Sequence, residues 1–359
     1  MRKPLAAVAL AVLATTSPRA AGHDPFASSL HAFPQTDRRA LPRPAAGSEP
    51  LAALQQQIER IRSTFPGEMS VYMKNLKTGD VIALDADRVM ETFSVIKVPI
   101  MVEVLRQSEA GQFALTDRIT LKASDRRLPS GMLYTLDPGL QPTIHDLLSL
   151  MITISDNEAT DLLADKVGRA SVTHQMSELG LKHTTIEYSD LDWDRLWLAR
   201  LDPSYKNASG DQTVDFPFEK YSPVQVSQAF GKTIYESPVY FGHSTAREIG
   251  LLFEKMAHHE LVSPAASGLM IEILKKQQVN NRFPRYLSGV EIAHKTGDGQ
   301  PWLANDAGIL YLQDQQPVVL VVFTGHHRAQ TPALHDAIAR VAALVGRHYG
   351  AHLTPDYKD

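Results

Sequence analysis

Residues 290–324 read VEIAHKTGDGQPWLANDAGILYLQDQQPVVLVVFT, and this stretch decides the fold of the chain. Three apolar runs at 290–295, 307–312 and 317–324 are separated by turn residues, which predicts three consecutive strands. Two more strand-like runs, 71–76 and 81–84, lie near the start of the chain around a Lys-Thr-Gly-Asp turn. The two sets of strands predict one antiparallel sheet built from both ends of the chain.

Helical spacing dominates the chain outside these strands. Apolar residues recur at intervals of three and four in the segments 51–64, 94–105, 144–154, 161–167, 246–258, 265–276 and 331–348. The segment 183–243 is irregular and rich in Asp, Pro and aromatic residues. The order of elements predicts an α/β (α+β) fold, in which a five-stranded antiparallel sheet is flanked by terminal helices and carries an inserted all-helical lobe.

The domain boundaries follow from this order. We expect one domain at 51–350, with a sheet lobe formed by 51–93 and 285–350 and a helical lobe formed by 94–284. The three motifs described below then fall at the seam between the lobes, where clefts usually form.

The start of the chain has the pattern of an export signal. Residues 1–22 contain two basic residues, an apolar stretch too short to span a bilayer, and small residues for cleavage, which predicts a signal peptide. Residues 23–50 are rich in Pro, Ala and Arg, which predicts a flexible lead. The signal peptide predicts a periplasmic or secreted protein. No later segment is apolar enough to span a membrane, and without cysteines the chain has neither a disulfide nor a cysteine for a lipid anchor.

The composition limits the classes of molecule that this protein is expected to bind. The hydrophobic content of 43% suffices for a large core, and the net charge of −4 with scattered basic residues argues against nucleic acid. The adjacent histidine pairs 258–259 and 326–327 lack the spacing of a metal site. We therefore expect a small-molecule substrate, no metal, no cofactor and a monomer.

Ser94-Val95-Ile96-Lys97 puts a hydroxyl and an amine three residues apart at the start of a helix, on one face. A serine becomes a nucleophile only when a base takes its proton, and a lysine serves as that base only when its ammonium form is disfavoured. The apolar neighbours of Lys97 predict its burial. Alone, the pattern is more typical of a serine N-cap followed by a surface lysine.

Two further motifs favour the catalytic interpretation. Ser155-Asp156-Asn157 ends an apolar helix, so Ser155 could pass a proton from Lys97 and Asn157 could hold a substrate amide, whereas Asp156 would anchor the turn. Without the other motifs, this triplet would be read as an ordinary helix N-cap.

Lys295-Thr296-Gly297 ends a strand that could pair with a peptide-like substrate. Lys295 and Thr296 could hold a carboxylate, and Gly297 would let the substrate approach the backbone. The N–H groups of Asp298 and Ser94 would point at a developing oxyanion.

Together, in this order, the three motifs resemble those of class A β-lactamases and, more widely, of penicillin-binding proteins. The interval of 61 residues from Ser94 to Ser155, the Asn305-Asp306 pair after the third motif, and the paired helices in 244–276 extend the resemblance to class A enzymes over about residues 51–348. The resemblance implies a β-lactam or a peptidoglycan-like peptide as substrate. It further implies acylation of Ser94 and hydrolysis of the acyl-enzyme.

One part of the chain departs from the class A pattern. The E-x-x-L-N motif, whose glutamate activates the deacylating water in that family, is absent. Alignment at Gly180 puts Asp190 at the glutamate's position, with Glu187 and Asp192 as the next candidates. The segment 190–244 is also longer than usual, and its role stays open.

The favoured interpretation is a secreted serine β-lactamase that acts through an acyl-enzyme on Ser94. The alternatives are a DD-peptidase or esterase of the same fold, or a slowly deacylating penicillin-binding protein, which the absent glutamate supports. A non-catalytic binding module is disfavoured, because such a module needs no proton shuttle.

Overall fold

The structure, a computed structural model, describes residues 50–236, 241–328 and 330–358. The predicted signal peptide 1–22 and residues 23–49 of the predicted lead lie outside the described residues. In the described part, no helix combines the length and apolar character needed to cross a bilayer.

The described residues form eleven α-helices in chain order. They are α1 (Leu51–Thr64), α2 (Lys97–Glu109), α3 (Ile144–Thr153), α4 (Asn157–Val167), α5 (Arg169–Glu178), α6 (Asp190–Leu198), α7 (Gly210–Val214), α8 (Pro223–Glu236), α9 (Ala246–Ala257), α10 (Pro264–Leu274) and α11 (Thr331–His348).

The strands are β1 (Glu68–Asn75), β2 (Val81–Leu84), β3 (Val89–Glu91), β4 (Thr185–Ile186), β5 (Gly242–Thr245), β6 (Leu287–Ser288), β7 (Glu291–Gly299), β8 (Leu303–Tyr311), β9 (Pro317–Gly325) and β10 (His352–Leu353). The main sheet has five antiparallel strands in the order β2-β1-β9-β8-β7. The predicted sheet from both chain ends is therefore confirmed, and β7, which carries the Lys-Thr-Gly motif, is its edge strand.

Both faces of the sheet are covered. One core joins the outer face to α1 and α11, and a larger core joins the inner face to α9 and the middle helices. The packing of α9 on β1 is close, because a Cβ atom at Gly250 would lie 2.2 Å from the ring of Tyr72. The division into a sheet lobe and a helical lobe stays a prediction.

The prediction of an irregular 183–243 segment is wrong. It contains α6, α7, α8 and two short strands, β4 and β5. Its aromatic side chains pack on one another and against the main core rather than forming an amphipathic stripe, with Tyr205, Phe216, Phe218 and Tyr221 in ring contact. Such packing leaves no regular period in the sequence.

Candidate active site

Ser94 lies in a short 3₁₀ turn, Phe93–Ile96, between β3 and α2. The preceding residue, Phe93, has a left-handed backbone with φ of 43°. A bulky residue in that region costs on the order of 1–3 kcal/mol and persists only where its surroundings hold it.

Aromatic packing is the first feature that holds Phe93. Its ring meets Trp193 edge-on at 5.6 Å between centroids and lies 6.1 Å from Phe230 and 6.4 Å from Phe241. Trp193 belongs to α6 and Phe230 to α8, so the long 190–244 segment packs directly behind the turn that presents Ser94.

The buried carboxylate of Glu91 is the second feature. It accepts hydrogen bonds from the backbone N–H groups of Phe93 (2.9 Å), Phe241 (2.8 Å) and Gly242 (3.2 Å). Burial raises the pKa of Glu91 to about 8, although the three N–H groups oppose that rise. Glu91 therefore ties the Ser94 turn to the start of β5.

Lys97 is fully buried at the first position of α2. Its Nζ donates to the Ser155 carbonyl (2.8 Å), the Ser155 hydroxyl (3.1 Å) and the Asn157 side-chain oxygen (2.8 Å). Burial lowers the pKa of Lys97, and the carboxylates of Asp190, Asp156 and Asp161 oppose that shift, Asp190 most strongly. The lysine is thus held beside Ser155 with its ammonium form disfavoured.

Ser155 joins the two lysines. The Nζ of Lys295, on β7, donates to the same Ser155 hydroxyl at 3.1 Å and to the Thr296 carbonyl at 2.7 Å. Burial lowers the pKa of Lys295 well below its ordinary value, the charge of Lys97 lowers it further, and the Asp298 carboxylate opposes the shift. One hydroxyl therefore receives hydrogen bonds from two buried amines.

The side chains of Asp156 and Asn157 form hydrogen bonds with backbone groups around the second motif. Asp156 caps α4 by accepting from the N–H of Ala159 (2.9 Å), and it also accepts from the N–H groups of Met132 (2.6 Å) and Leu133 (3.0 Å). Asn157 receives Lys97 and donates through its Nδ2 to the Leu128 carbonyl (3.0 Å). One Asn157 amide hydrogen remains for a substrate, since an amide carries two.

On β7, the structure gives a reason for a glycine at position 297, and the predicted approach of a substrate to its backbone stays a prediction. A Cβ there would lie 2.4 Å from the Thr92 carbonyl oxygen and 3.3 Å from the Val95 nitrogen. The missing side chain thus lets the Ser94 turn pack on the strand itself. The hydroxyl of Thr296 is buried and has no hydrogen-bond partner among the described residues.

Of the three candidate carboxylates, Asp190 is the one whose charge acts on Lys97. It is the first residue of α6, and its buried Oδ2 has no hydrogen-bond partner in the described part of the chain. Burial raises the pKa of Asp190 well above its ordinary value, and Lys97 opposes the rise. Glu187 instead pairs with His243 (3.0 Å), and Asp192 with Arg195 (2.9 Å).

Sequence reasoning missed the residues that support Asp190. Asp161 accepts from the backbone N–H groups of Asp190 (2.8 Å) and Leu191 (3.2 Å), and Arg127 pairs with Asp161 at 2.5 Å. Asp161 lies one turn after Asn157 on α4, so its spacing from Asn157 could have indicated that it faces the same site. No sequence pattern marks Arg127.

The long segment also reaches the strand side of the site. The hydroxyl of Tyr235, near the end of α8, donates to the Trp302 carbonyl at 2.9 Å. A Cβ at Gly231 would lie 2.5 Å from the Trp302 ring, so α8 rests directly on that side chain. Trp302 follows the third motif in the β7–β8 turn and therefore packs under α8.

Comparison with known proteins agrees with this geometry. The sequence profile of the "Beta-lactamase enzyme family" matches residues 53–349. A β-lactamase of Streptomyces lavendulae is 23% identical over 321 residues, which cover 86% of this chain and 92% of that protein. The β-lactamase CTX-M-6 of Salmonella typhimurium is 21% identical over 300 residues, with 82% and 88% covered.

Solved structures give the same result. A β-lactamase of Sphaerobacter thermophilus superposes with a TM-score of 0.65 and 25% identity, covering 84% of this chain and 97% of that one. The structure of PBP-A also superposes with a TM-score of 0.65 and 25% identity, covering 85% and 98%.

Proposed function

This chain belongs to the β-lactamase enzyme family as a divergent class A serine hydrolase, and we propose that it opens β-lactams through an acyl-enzyme on Ser94. The observation that carries the proposal is the Ser155 hydroxyl, 3.1 Å from the amines of both Lys97 and Lys295. A hydroxyl bridged by two buried amines is suited to moving a proton, because each amine's ammonium form is disfavoured.

Acylation follows from this arrangement. Unprotonated Lys97 accepts the Ser94 proton while the Ser94 oxygen forms a bond to the β-lactam carbonyl carbon. The N–H groups of Ser94 and Asp298 would stabilise the resulting oxyanion. When the ring C–N bond breaks, the proton on Lys97 passes through the Ser155 hydroxyl to the leaving nitrogen. Asn157 and Thr296 would orient the substrate.

Deacylation requires a base for water, and we assign that role to Asp190. Its buried carboxylate acts on Lys97, and its backbone is held by Asp161. The carboxylate would take a proton from water as the oxygen attacks the ester, and the Ser94 oxygen would leave and regain a proton. Because the pKa of Asp190 is raised, its carboxylate forms at a higher pH than that of an ordinary aspartate, and we expect slow turnover after a burst.

That expectation favours one alternative function, a slowly deacylating penicillin-binding protein or DD-peptidase of the same fold. The similarity to PBP-A is compatible with it. In that case β-lactams would acylate Ser94 and remain bound, while a peptidoglycan-like peptide or an ester would be the natural substrate.

Export is a further part of the proposal. We propose that residues 1–22 are removed during secretion to the periplasm or the medium. N-terminal sequencing of protein recovered from the exported fraction tests this, and a protein that begins at Met1 there would contradict it.

One experiment separates the functions. Purified protein is mixed with a chromogenic cephalosporin, and product absorbance and intact protein mass are followed together. Sustained turnover supports a β-lactamase, and a stoichiometric, lasting adduct supports the slow alternative. If neither turnover nor an adduct is observed, the proposed acylation by β-lactams is contradicted. Ser94→Ala is the matched control, and it should lose both signals by at least about a thousandfold.

A further inference from the structure

Asp298 introduces a negative charge beside the residues that would bind a substrate carboxylate. Side chains alternate along a strand, so Asp298 lies on the same face of β7 as Thr296, two positions further on. Its side chain is 39% exposed, whereas the Thr296 hydroxyl is buried without a partner among the described residues.

Beneath this face lies Arg282, whose side chain is fully buried. Its Nη1 donates to the Asn305 carbonyl at 2.8 Å, and its Nη2 forms a short ion pair with the Asp298 carboxylate. Asp298 therefore already pairs with the buried guanidinium of Arg282.

The other groups around Asp298 do not offer an equivalent charge. His335, on α11, lies 4.0 Å from the carboxylate, and burial and Arg282 lower the pKa of His335 to about 4. Gln300 donates to Asp298 but is uncharged. The pKa of Lys295 is lowered well below its ordinary value. Arg282 differs from these groups because its guanidinium stays charged at any working pH.

We propose that Asp298 is a specificity-determining residue, an internal carboxylate that competes with the substrate carboxylate for Arg282. Substrates that carry a carboxylate must displace Asp298 or bind against its charge, whereas uncharged analogues need not. The enzyme should therefore tolerate uncharged β-lactams and esters unusually well. This inference rests on the proposed function.

The test compares benzylpenicillin with its methyl ester on wild type and on Asp298→Asn. Asparagine keeps an oxygen for Arg282 but removes the charge. We expect the ratio of kcat/KM for benzylpenicillin to kcat/KM for its methyl ester to rise about tenfold in Asp298→Asn, mainly because KM for benzylpenicillin falls. The acid-to-ester ratio of kcat/KM is independent of the folded fraction, and Asp298→Ser provides a second variant.

The matched control is Glu291→Gln. Glu291 lies at the other end of β7, is exposed, and pairs with Lys275 at 2.8 Å, so this variant also removes one ion-paired carboxylate from the strand. Its acid-to-ester ratio should equal that of wild type. An unchanged ratio in both Asp298 variants would overturn the inference alone. A wild type that neither hydrolyses nor is acylated by either compound would overturn the proposed function, and the inference with it.

Discussion

The two sides of the site each contribute one fully buried lysine, but the charged group that acts most strongly on it is negative on one side and positive on the other. On the helical side, Lys97 is influenced by the carboxylates of Asp190, Asp156 and Asp161, which partly offset the effect of burial on its pKa. On the strand side, Lys295 is influenced most by Lys97, which adds to the effect of burial. The same residue type is therefore tuned differently on the two sides.

This difference suggests a division of labour. A base that takes a proton and returns it must be able to hold that proton for a time, and the carboxylates favour the protonated form of Lys97. Lys295 is more readily uncharged and already donates to Ser155, so it serves first as a partner of that hydroxyl. The following variants test the division, beginning with the largest effect.

Lys97→Arg should reduce the acylation rate about a thousandfold, because arginine keeps a positive charge but does not give up its proton. In wild type, the acylation rate should rise with pH. The lowered pKa of Lys97 means that its free amine forms at a lower pH than that of an exposed lysine. Stopped-flow acylation across pH measures both effects. A wild-type rate in Lys97→Arg would mean that the base lies elsewhere.

Asp190→Asn should reduce deacylation about a hundredfold and leave acylation nearly unchanged, so that the acyl-enzyme accumulates. Because the pKa of Asp190 is raised, its carboxylate forms only at higher pH. Wild-type deacylation should therefore rise with pH, and that rise should be missing in the variant. Single-turnover kinetics with detection of the adduct by mass measures this.

Glu187→Gln and Asp192→Asn are the matched controls for Asp190, because each removes a nearby carboxylate that is paired with another residue. Both should deacylate as wild type does. If one of them slows deacylation and Asp190→Asn does not, the base has been assigned to the wrong carboxylate. A wild type without a burst would contradict the expected slow deacylation.

Local sequence patterns predicted parts of both sides of the site. Short-range spacing in the sequence brought Ser94, Lys97 and Ser155 to attention, and α1 and α11 were predicted to the residue because their apolar periods are regular. Arg282 and the left-handed Phe93 carry no local pattern. Each acquires its role from contacts with residues distant in the chain, so spacing could not reveal them.

The 190–244 segment shows the same limit. Its helices are stabilised by aromatic contacts among themselves and with Phe93, and α7, with five residues, is too short to show a helical period. The composition of this segment shows that it is rich in aromatic residues, but it does not predict which rings contact one another. Asp190 was nevertheless anticipated, because alignment at Gly180 needs no knowledge of the fold that follows.

Lys295→Ala should reduce acylation about tenfold for benzylpenicillin and its methyl ester alike at neutral pH, because the loss acts through Ser155. The lowered pKa means that Lys295 carries its charge only at lower pH. In wild type, the preference for the acid over the ester should therefore grow as pH falls, and this growth should be absent in Lys295→Ala. A variant that loses activity only on the acid at neutral pH would make Lys295 a fixed cationic clamp instead.

The smallest effect concerns the connection between the two sides. Tyr235→Phe removes the hydrogen bond from α8 to the Trp302 carbonyl (2.9 Å) and keeps the ring that stacks on His326. We expect the free energy of unfolding, measured in urea, to fall by about 1 kcal/mol. Tyr188→Phe is the control, since Tyr188 is also a partly buried tyrosine that packs on the same core.

The kinetic outcome of Tyr235→Phe decides whether this connection matters to catalysis. If α8 transmits position between Asp190 and the β7–β8 turn, deacylation should slow by about twofold to fivefold while acylation stays constant. Equal changes in both steps would contradict such a link, because they would indicate a general loosening of the site. A loss of stability with no kinetic change would limit α8 to holding the Ser94 turn and the strand in place.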